Sequence, residues 1–242
     1  MKEQYVGDVS DYRKYALLRA LSQSGTIKVG VCWMLTLPDT RSDGAIRRYL
    51  SAPDRWRHYD PDLFDVLDSA SDLSSGHRLS RIEQSGILPA ALFFNETVPD
   101  DALSRRAYMR NALLELADAE LIFFDPDNGM DVKSVPLGRR NSSKFLYREE
   151  LLATFQAGHS VLVYQHFSRQ SRGQFIRALG DELAALAKPQ SAWAFCTPHV
   201  VFFLLVHAKH ANRLESAALS ASSRWNARFL VGWRLETCVT SS

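Results

Sequence analysis

The most informative stretch of the chain reads Leu121-Ile122-Phe123-Phe124-Asp125-Pro126-Asp127-Asn128-Gly129. Its four leading residues are apolar, which is typical of a strand that is buried on both faces, as in a parallel sheet. The remainder has the composition of a turn, because proline cannot continue a hydrogen-bond ladder and Asn-Gly tolerates a positive φ. Ligands of open α/β sheets bind at the carboxyl ends of strands, so the pattern predicts functional carboxylates at Asp125 and Asp127.

Composition indicates an ordinary globular protein. The 242 residues are 46% apolar and 23% charged, which is enough to build a core without disulfides. The three cysteines, Cys32, Cys196 and Cys238, are far apart and lack paired zinc spacing, which favours a reducing, cytoplasmic compartment. No apolar stretch reaches membrane-spanning length, so we expect no membrane association. The net charge of +2 neither requires nor excludes a nucleic-acid partner, and nothing indicates an oligomeric state.

Strand-like and helix-like patterns alternate along the chain. The predicted strands lie at residues 28–37, 91–95, 121–124, 159–164, 193–196, 200–206 and about 229–231. This order predicts a Rossmann-like α/β fold with a mostly parallel sheet and an antiparallel hairpin near the C-terminus, the strand pattern of class I methyltransferases. We predict a single α/β domain over residues 1–242, with a helical or loop insertion at about 45–89.

Two further segments carry acidic residues next to predicted elements. Asp8, Asp11 and Lys14 are spaced about one helical turn apart at the start of the first helix, so they are expected to share a face, either in a site or as a cap with surface ion pairs. Asp39 and Asp43 lie in a polar turn after the first strand, where a Rossmann-type domain places its nucleotide-binding loop. That turn lacks the G-x-G-x-x-G pattern, so a glycine-rich phosphate cradle is not expected.

These segments together resemble a known family. Gly7-Asp8-Val9-Ser10-Asp11-Tyr12-Arg13-Lys14, Asp125-Pro126-Asp127-Asn128 and Tyr164-Gln165-His166-Phe167 are similar to motifs of the S-adenosylmethionine-dependent methyltransferases that modify the exocyclic amine of adenine in large-subunit ribosomal RNA. Those enzymes have an Asp-Pro-Pro-aromatic motif after a buried strand, whereas this chain has Asp127 and Asn128 at the last two positions. The chain also resembles bacterial proteins of unassigned function that share Asp-Pro-Asp-Asn-Gly.

The resemblance implies a role for each candidate residue. Asp125 would accept a hydrogen bond from the substrate amine, and Phe167 or Tyr164 would pack on a flipped base. S-adenosylmethionine would be held near Asp8, Asp11, Lys14, Asp39 and Asp43. The other substrate-binding candidates are Asn128, Lys144, Arg139 and Arg169, of which the basic residues would contact phosphates.

Two alternatives follow from the same residues. Asp125 and Asp127 suit Mg²⁺ or Mn²⁺, with His166 as a base or further ligand, which predicts a metal-dependent phosphodiesterase or nuclease. Asp8 or Asp11 would then add a ligand. No metal-binding signature accompanies them, so no metal site is assigned. The second alternative is a methyltransferase-like module without catalysis that binds nucleic acid or protein.

Overall fold

The structure is a computed structural model that describes residues 1–37, 46–71 and 75–236. Its helices are α1 (Val9–Ser22), α2 (Pro53–Trp56), α3 (Pro61–Ser71), α4 (Ser75–Gln84), α5 (Ala102–Glu115), α6 (Arg148–Gln156), α7 (Arg172–Ala187) and α8 (Ala211–Ser222). Its strands are β1 (Val29–Cys32), β2 (Leu92–Phe94), β3 (Leu121–Phe124), β4 (Gly129–Met130), β5 (Phe145–Leu146), β6 (Ser160–His166), β7 (Ser191–Cys196), β8 (Val200–Val206) and β9 (Val231–Arg234). None of the helices in these ranges is long and apolar enough to cross a membrane.

Seven strands form one sheet in the order β2-β1-β3-β6-β8-β7-β9. The pairs from β2 to β6 are parallel, and the pairs from β6 to β9 are antiparallel. Five of the seven strands therefore run in one direction, and β8 and β9 run in the other. The predicted α/β fold with a mostly parallel sheet is confirmed, and its arrangement is Rossmann-like. The chain leaves β1 for β2 on one side and returns to β3 on the other, so a topological switch point lies between β1 and β3.

Helices cover both faces of the sheet, and the alternation within β3 explains how. Leu121 and Phe123 belong to the apolar cluster that contains α1, α3 and α8, whereas Ile122 and Phe124 belong to the cluster that contains α5, α6 and α7. Successive strand residues point to opposite faces, so a continuous apolar run serves two cores. The first part of the opening stretch is a central strand that is buried on both faces, as predicted.

The region predicted as an insertion contributes to the core on the α1 face. Leu63, Phe64 and Leu67 of α3, together with Leu79 and Ile82 of α4, are buried in the same cluster as α1. Helices α2, α3 and α4 are therefore packed as part of the layer that covers this face.

Three local features complete the fold. The first helix is capped by Asp8, because its carboxylate accepts hydrogen bonds from the backbone N–H groups of Ser10 and Asp11. The last strand begins at Val231, because Phe229 and the residue after it pack into the core before the ladder starts. The segment after the acidic turn lies between β4 and β5, a short parallel pair that no sequence pattern indicated.

Candidate functional site

A cavity of about 410 Å³ opens at the carboxyl ends of β1, β3 and β6, a size in the usual range for small-molecule sites. Nine of the predicted site residues line it: Asp8, Asp11, Lys14, Asp125, Asp127, Asn128, Lys144, Tyr164 and His166. Three separate segments of the chain contribute most of them: the start of α1, the turn after β3 and the end of β6. The residues on which the family resemblance depends are therefore brought together beside the switch point.

A buried lysine joins two of these segments. The Nζ atom of Lys14 lies 2.6 Å from Asp11 Oδ1 and 2.6 Å from Asp125 Oδ2, and all three side chains are less than a tenth exposed. Burial acts to lower the pKa of Lys14, but the two carboxylates raise it well above its usual value. The ammonium group therefore stays charged and ties α1 to the end of β3. The alternative of surface ion pairs for Asp11 and Lys14 is wrong, because both are buried.

The cluster contains more acids than cations. Asp8, Asp11 and Asp125 lie around the ammonium group of Lys14, and the amino group of Met1 acts on Asp125 as well. Burial, followed by the charge of Asp11, raises the pKa of Asp8 to about 7, although its two backbone hydrogen bonds act in the opposite direction. Burial also raises the pKa of Asp125, while Lys14 and the amino group of Met1 oppose the rise. This end of the cavity therefore favours a proton or a cationic ligand.

The second acid of the turn has separate partners. Asp127 Oδ1 lies 3.0 Å from the amino group of Met1, and Asp127 Oδ2 accepts a hydrogen bond of 2.6 Å from Thr36. Burial disfavours the charged form, but these two groups more than offset it and lower the pKa of Asp127. The Met1 amino group also donates to the carbonyls of Met34 and Asp125, at 2.8 Å each. It thus bridges the ends of β1 and β3 at the switch point.

The two carboxylates of this turn thus bind different ammonium groups. Asp125 binds Lys14 through Oδ2, and its Oδ1 atom has no hydrogen-bond partner within the described ranges. Across the same ranges, no group of three or more His, Cys, Asp or Glu residues is placed to hold a metal ion. Asp125 and Asp127, the two acids expected to bind one metal ion, are therefore each paired with a different ammonium group.

His166 and Tyr164 line the cavity from the end of β6. The two rings are in edge contact, with centroids 5.0 Å apart, and Tyr164 also packs on Phe202 and under the ammonium group of Lys14. Tyr164 is therefore buried against its neighbours, whereas His166 is exposed. Partial desolvation lowers the pKa of His166, while the backbone and carboxylate of Asp127 oppose the shift. His166 is accordingly a neutral base beside the acidic turn at pH 7.

Three predicted substrate contacts do not line the cavity. Phe167 packs against Phe175 with ring centroids 6.2 Å apart, under the guanidinium of Arg172, so the expectation that Phe167 stacks on a base is wrong for this arrangement. Side chains alternate along this segment, so Phe167 faces the side of the sheet opposite to Tyr164 and His166. Arg139 and Arg169 are exposed and lie outside the cavity lining. Asp39 and Asp43 lie outside the described residues, so their predicted cofactor contacts stay predictions.

Sequence reasoning missed several lining residues. Met1, Lys2 and Tyr5 reach the cavity from the segment before α1, and His199 reaches it from the turn between β7 and β8. The pairing of β8 with β6 brings this turn beside the end of β6, so no local motif identifies His199.

A close approach of two segments explains the glycine in the opening stretch. Gly129 has a φ of +95°, and a Cβ atom there would overlap the side-chain amide of Gln165. That amide accepts a hydrogen bond of 2.7 Å from the backbone of Met130 and donates one to the carbonyl of His166. The contact connects the turn after β3 with the end of β6, so it sets the distance between Asp127 and His166.

We expect Gly129→Ala to lower the free energy of unfolding by about 2 kcal/mol, because the added methyl group combines a strained φ with an overlap against Gln165. Urea unfolding followed by tryptophan fluorescence measures the change. Gly173→Ala is the matched control, since a Cβ at this position in the first turn of α7 meets no atom within 4 Å. A loss of similar size in both variants would contradict the proposed contact.

Comparison with known proteins adds no relative. No family model matches the chain, and no curated protein matches it. The class of protein is thus defined by the fold and the cavity: an α/β protein with a Rossmann-like sheet and a cavity lined by acids and ammonium groups at its topological switch point.

Proposed function

We propose that the chain is an S-adenosylmethionine-dependent methyltransferase that acts on an amino group of nucleic acid. The single observation that carries the proposal is the position of Asp125. It directly follows the central strand β3, lines the cavity beside the switch point, and has one carboxylate oxygen without a hydrogen-bond partner among the described residues. An amine that enters the cavity would donate to this oxygen.

The sheet supports the same proposal. Parallel strands β1, β2, β3 and β6 are followed by the antiparallel β8, which lies between β6 and β7. An antiparallel strand inserted next to the last parallel strand fits the class I methyltransferase sheet that the sequence resemblance implies. The turn between β7 and β8, predicted as a hairpin turn, places His199 at the cavity.

The charge of the cavity fits the cofactor. S-adenosylmethionine carries a positive sulfonium centre and an ammonium group, and supplies an electrophilic methyl group when it is bound. Asp8, Asp11 and Asp125 outnumber the two cations that act on them, Lys14 and the Met1 amino group, so a cationic group beside Asp8 would be stabilised without displacing an existing ion pair. Asp8 and Asp11 are therefore the residues that would hold the cofactor.

Lys14 gives Asp125 a defined orientation. Because its ammonium group binds Asp125 Oδ2 at 2.6 Å, the carboxylate cannot rotate freely and Oδ1 stays available as an acceptor. A hydrogen bond from the substrate amine to Oδ1 would align the nitrogen lone pair for transfer. His166, which is exposed and near Asp127, is the group in the cavity placed to accept the proton that the methylated amine releases.

Cofactor binding is the first test. Isothermal titration with S-adenosylmethionine is expected to show binding to the wild type and at least ten-fold weaker binding to the double variant Asp8→Asn/Asp11→Asn. The variant Asp118→Asn is the control, because this carboxylate is 80% exposed and does not line the cavity. No binding at millimolar cofactor would overturn the proposal.

Methyl transfer is the second test, with radiolabelled cofactor and unmodified RNA or DNA oligonucleotides as acceptors. Asp125→Asn should lower transfer by about 100-fold or more while cofactor affinity changes little. The ammonium group of Lys14 would hold the amide oxygen, so the amide NH₂ would take the place of Oδ1 and donate instead of accept. Transfer by Asp125→Asn at the wild-type rate would rule out this role.

The wild type and the aspartate variants also separate the two alternative functions, a metal-dependent phosphodiesterase and a non-catalytic module. A metal-dependent phosphodiesterase would be favoured by a rise in melting temperature with Mg²⁺ or Mn²⁺ that is lost in both Asp125→Asn and Asp127→Asn. A divalent ion would have to displace the ammonium groups of Lys14 and Met1 from these carboxylates. Absence of both cofactor and metal binding would favour the non-catalytic module.

A further inference from the structure

A second groove lies on the α1 face of the protein, between α2 and the segment before β9. Six residues define what we call the arginine–aromatic groove: Arg55, Trp56, His58, Tyr59, Asn226 and Arg228. We propose that this groove binds a single-stranded segment of nucleic acid. The inference rests on the proposed function only in taking nucleic acid as the class of partner. Its test requires no methyl transfer.

Aromatic rings reach the surface in this groove. Tyr59 stacks on the buried Phe229 with centroids 4.3 Å apart and an angle of 17°, and the exposed ring of His58 packs on Tyr59 at 4.1 Å. Trp56 is half-buried and contacts Tyr59 edge to face at 6.1 Å. Planar rings at a protein surface are the usual platforms for unpaired bases, because each base presents a face that can stack.

Positive charge accompanies the rings. Arg55 and Arg228 are exposed in the groove, and neither forms an ion pair with another residue of the described ranges. Arg224 lies nearby, over the ring of Trp225 at 5.4 Å. The neighbouring acids Asp60, Asp62 and Asp65 are paired with Arg19 or Arg57, which leaves the exposed Asp54 as the opposing charge. The available guanidinium groups suit phosphates.

A buried arginine holds the two walls of the groove together. Arg13 of α1 is 4% exposed; it donates a hydrogen bond of 2.9 Å to the carbonyl of Arg228, and its guanidinium lies 5.5 Å from the Trp56 ring and 6.0 Å from that of Phe229. Trp225 donates to the carbonyl of Tyr59 across the same junction. The groove is thus preformed, which reduces the ordering cost of binding.

The groove adjoins the candidate site. Trp56 contacts Tyr49 edge to face at 5.7 Å, and the Tyr49 hydroxyl donates to the carbonyl of Gly7, the residue before Asp8. Asp8 lines the cavity that contains Asp125. A nucleic-acid segment bound in the groove would therefore be separated from the cavity by the packed ring of Tyr49. A neighbouring nucleotide of that segment could then enter the cavity.

Fluorescence anisotropy with labelled single-stranded oligonucleotides of about ten nucleotides tests the groove. The double variant Arg55→Gln/Arg228→Gln should bind at least ten-fold more weakly at low salt, with the slope of log K against log salt reduced by about 1.4, which is about 0.7 for each phosphate that the variant no longer neutralises. Trp56→Leu should weaken binding by about ten-fold, because a base can no longer stack on the indole ring. The matched control is Arg110→Gln/Arg177→Gln, two exposed arginines of α5 and α7 on the opposite face of the sheet.

Several results would overturn the inference: no binding by the wild type, an equal loss in the control, equal affinity for duplex of the same length, or equally effective competition by polyglutamate. Binding without methyl transfer would contradict only the proposed function. Methyl transfer that the groove variants leave unchanged would contradict only the groove.

Discussion

Lys14→Met should lower the free energy of unfolding by about 3–5 kcal/mol at pH 7, because it leaves the Asp11 and Asp125 carboxylates buried without their shared ammonium group. Their mutual repulsion would no longer be compensated in a region of low dielectric. The loss should be smaller at pH 4, because the raised pKa of Asp125 favours protonation of this carboxyl. Urea unfolding at both pH values measures the effect. The urea concentration at the midpoint should fall, and the dependence of the free energy of unfolding on urea concentration should stay constant.

Lys28→Met is the matched control. Lys28 pairs with Asp118 at 3.6 Å, but both side chains are exposed, so the expected loss is below about 1 kcal/mol. In the triple variant Lys14→Met/Asp11→Asn/Asp125→Asn, much of the lost stability should return, because neutral amides remain where unpaired charges would be. A loss below about 1 kcal/mol in Lys14→Met, or no recovery in the triple variant, would show that the buried lysine does not neutralise the two acids.

Asp8→Asn should make the protein more stable than the wild type at pH 8, by about 4 kcal/mol, and should have little effect at pH 4. The pKa of Asp8 is raised from 3.8 to about 7 in the folded state. Between these values the folded state binds more protons than the unfolded state, so the wild-type stability falls as the pH rises through this window. An asparagine oxygen keeps the two capping hydrogen bonds of α1 and removes the titration.

Asp101→Asn is a control for which the expected change in stability at pH 8 has the opposite sign. Asp101 also caps a helix, α5, but its hydrogen bonds to the backbone and side chain of Ser104 lower its pKa. The ionised Asp101 carboxylate stabilises the folded state at pH values above the pKa of Asp101 in the unfolded chain, and this stabilisation is lost as the pH falls. Asp101→Asn should therefore be less stable than the wild type at pH 8. Chemical denaturation at intervals from pH 4 to pH 8 tests both variants. A difference between Asp8→Asn and the wild type that does not change with pH would contradict the raised pKa.

These two expectations have one physical origin, the excess of acids over cations around Lys14. The same excess links stability to ligand binding. A cationic ligand that binds beside Asp8 would lower the pKa of this carboxyl and release a proton near pH 7. Titration of S-adenosylmethionine in buffers with different ionisation enthalpies would detect that release, which makes the Asp8 prediction relevant to the proposed cofactor.

Much of the architecture follows from local patterning. The apolar run from Leu121 to Phe124 identifies the central strand, since a strand between two helical layers buries four successive side chains. The alternation of strands and helices predicts the α/β class, and the acids that follow β3 predict the location of the cavity at the carboxyl ends of the strands. The equal spacing of Asp8, Asp11 and Lys14 predicts their common face on α1.

Long-range packing determines the rest, because the partners of a side chain depend on segments that are distant in the chain. The spacing of Lys14 does not reveal that Asp125, 111 residues away, shares its ammonium group. His199 lines the cavity because the pairing of β8 with β6 brings its turn beside the end of β6. Local sequence thus specifies which acids meet at the end of the sheet, whereas burial and charge balance in the folded state determine which of them holds a proton at neutral pH.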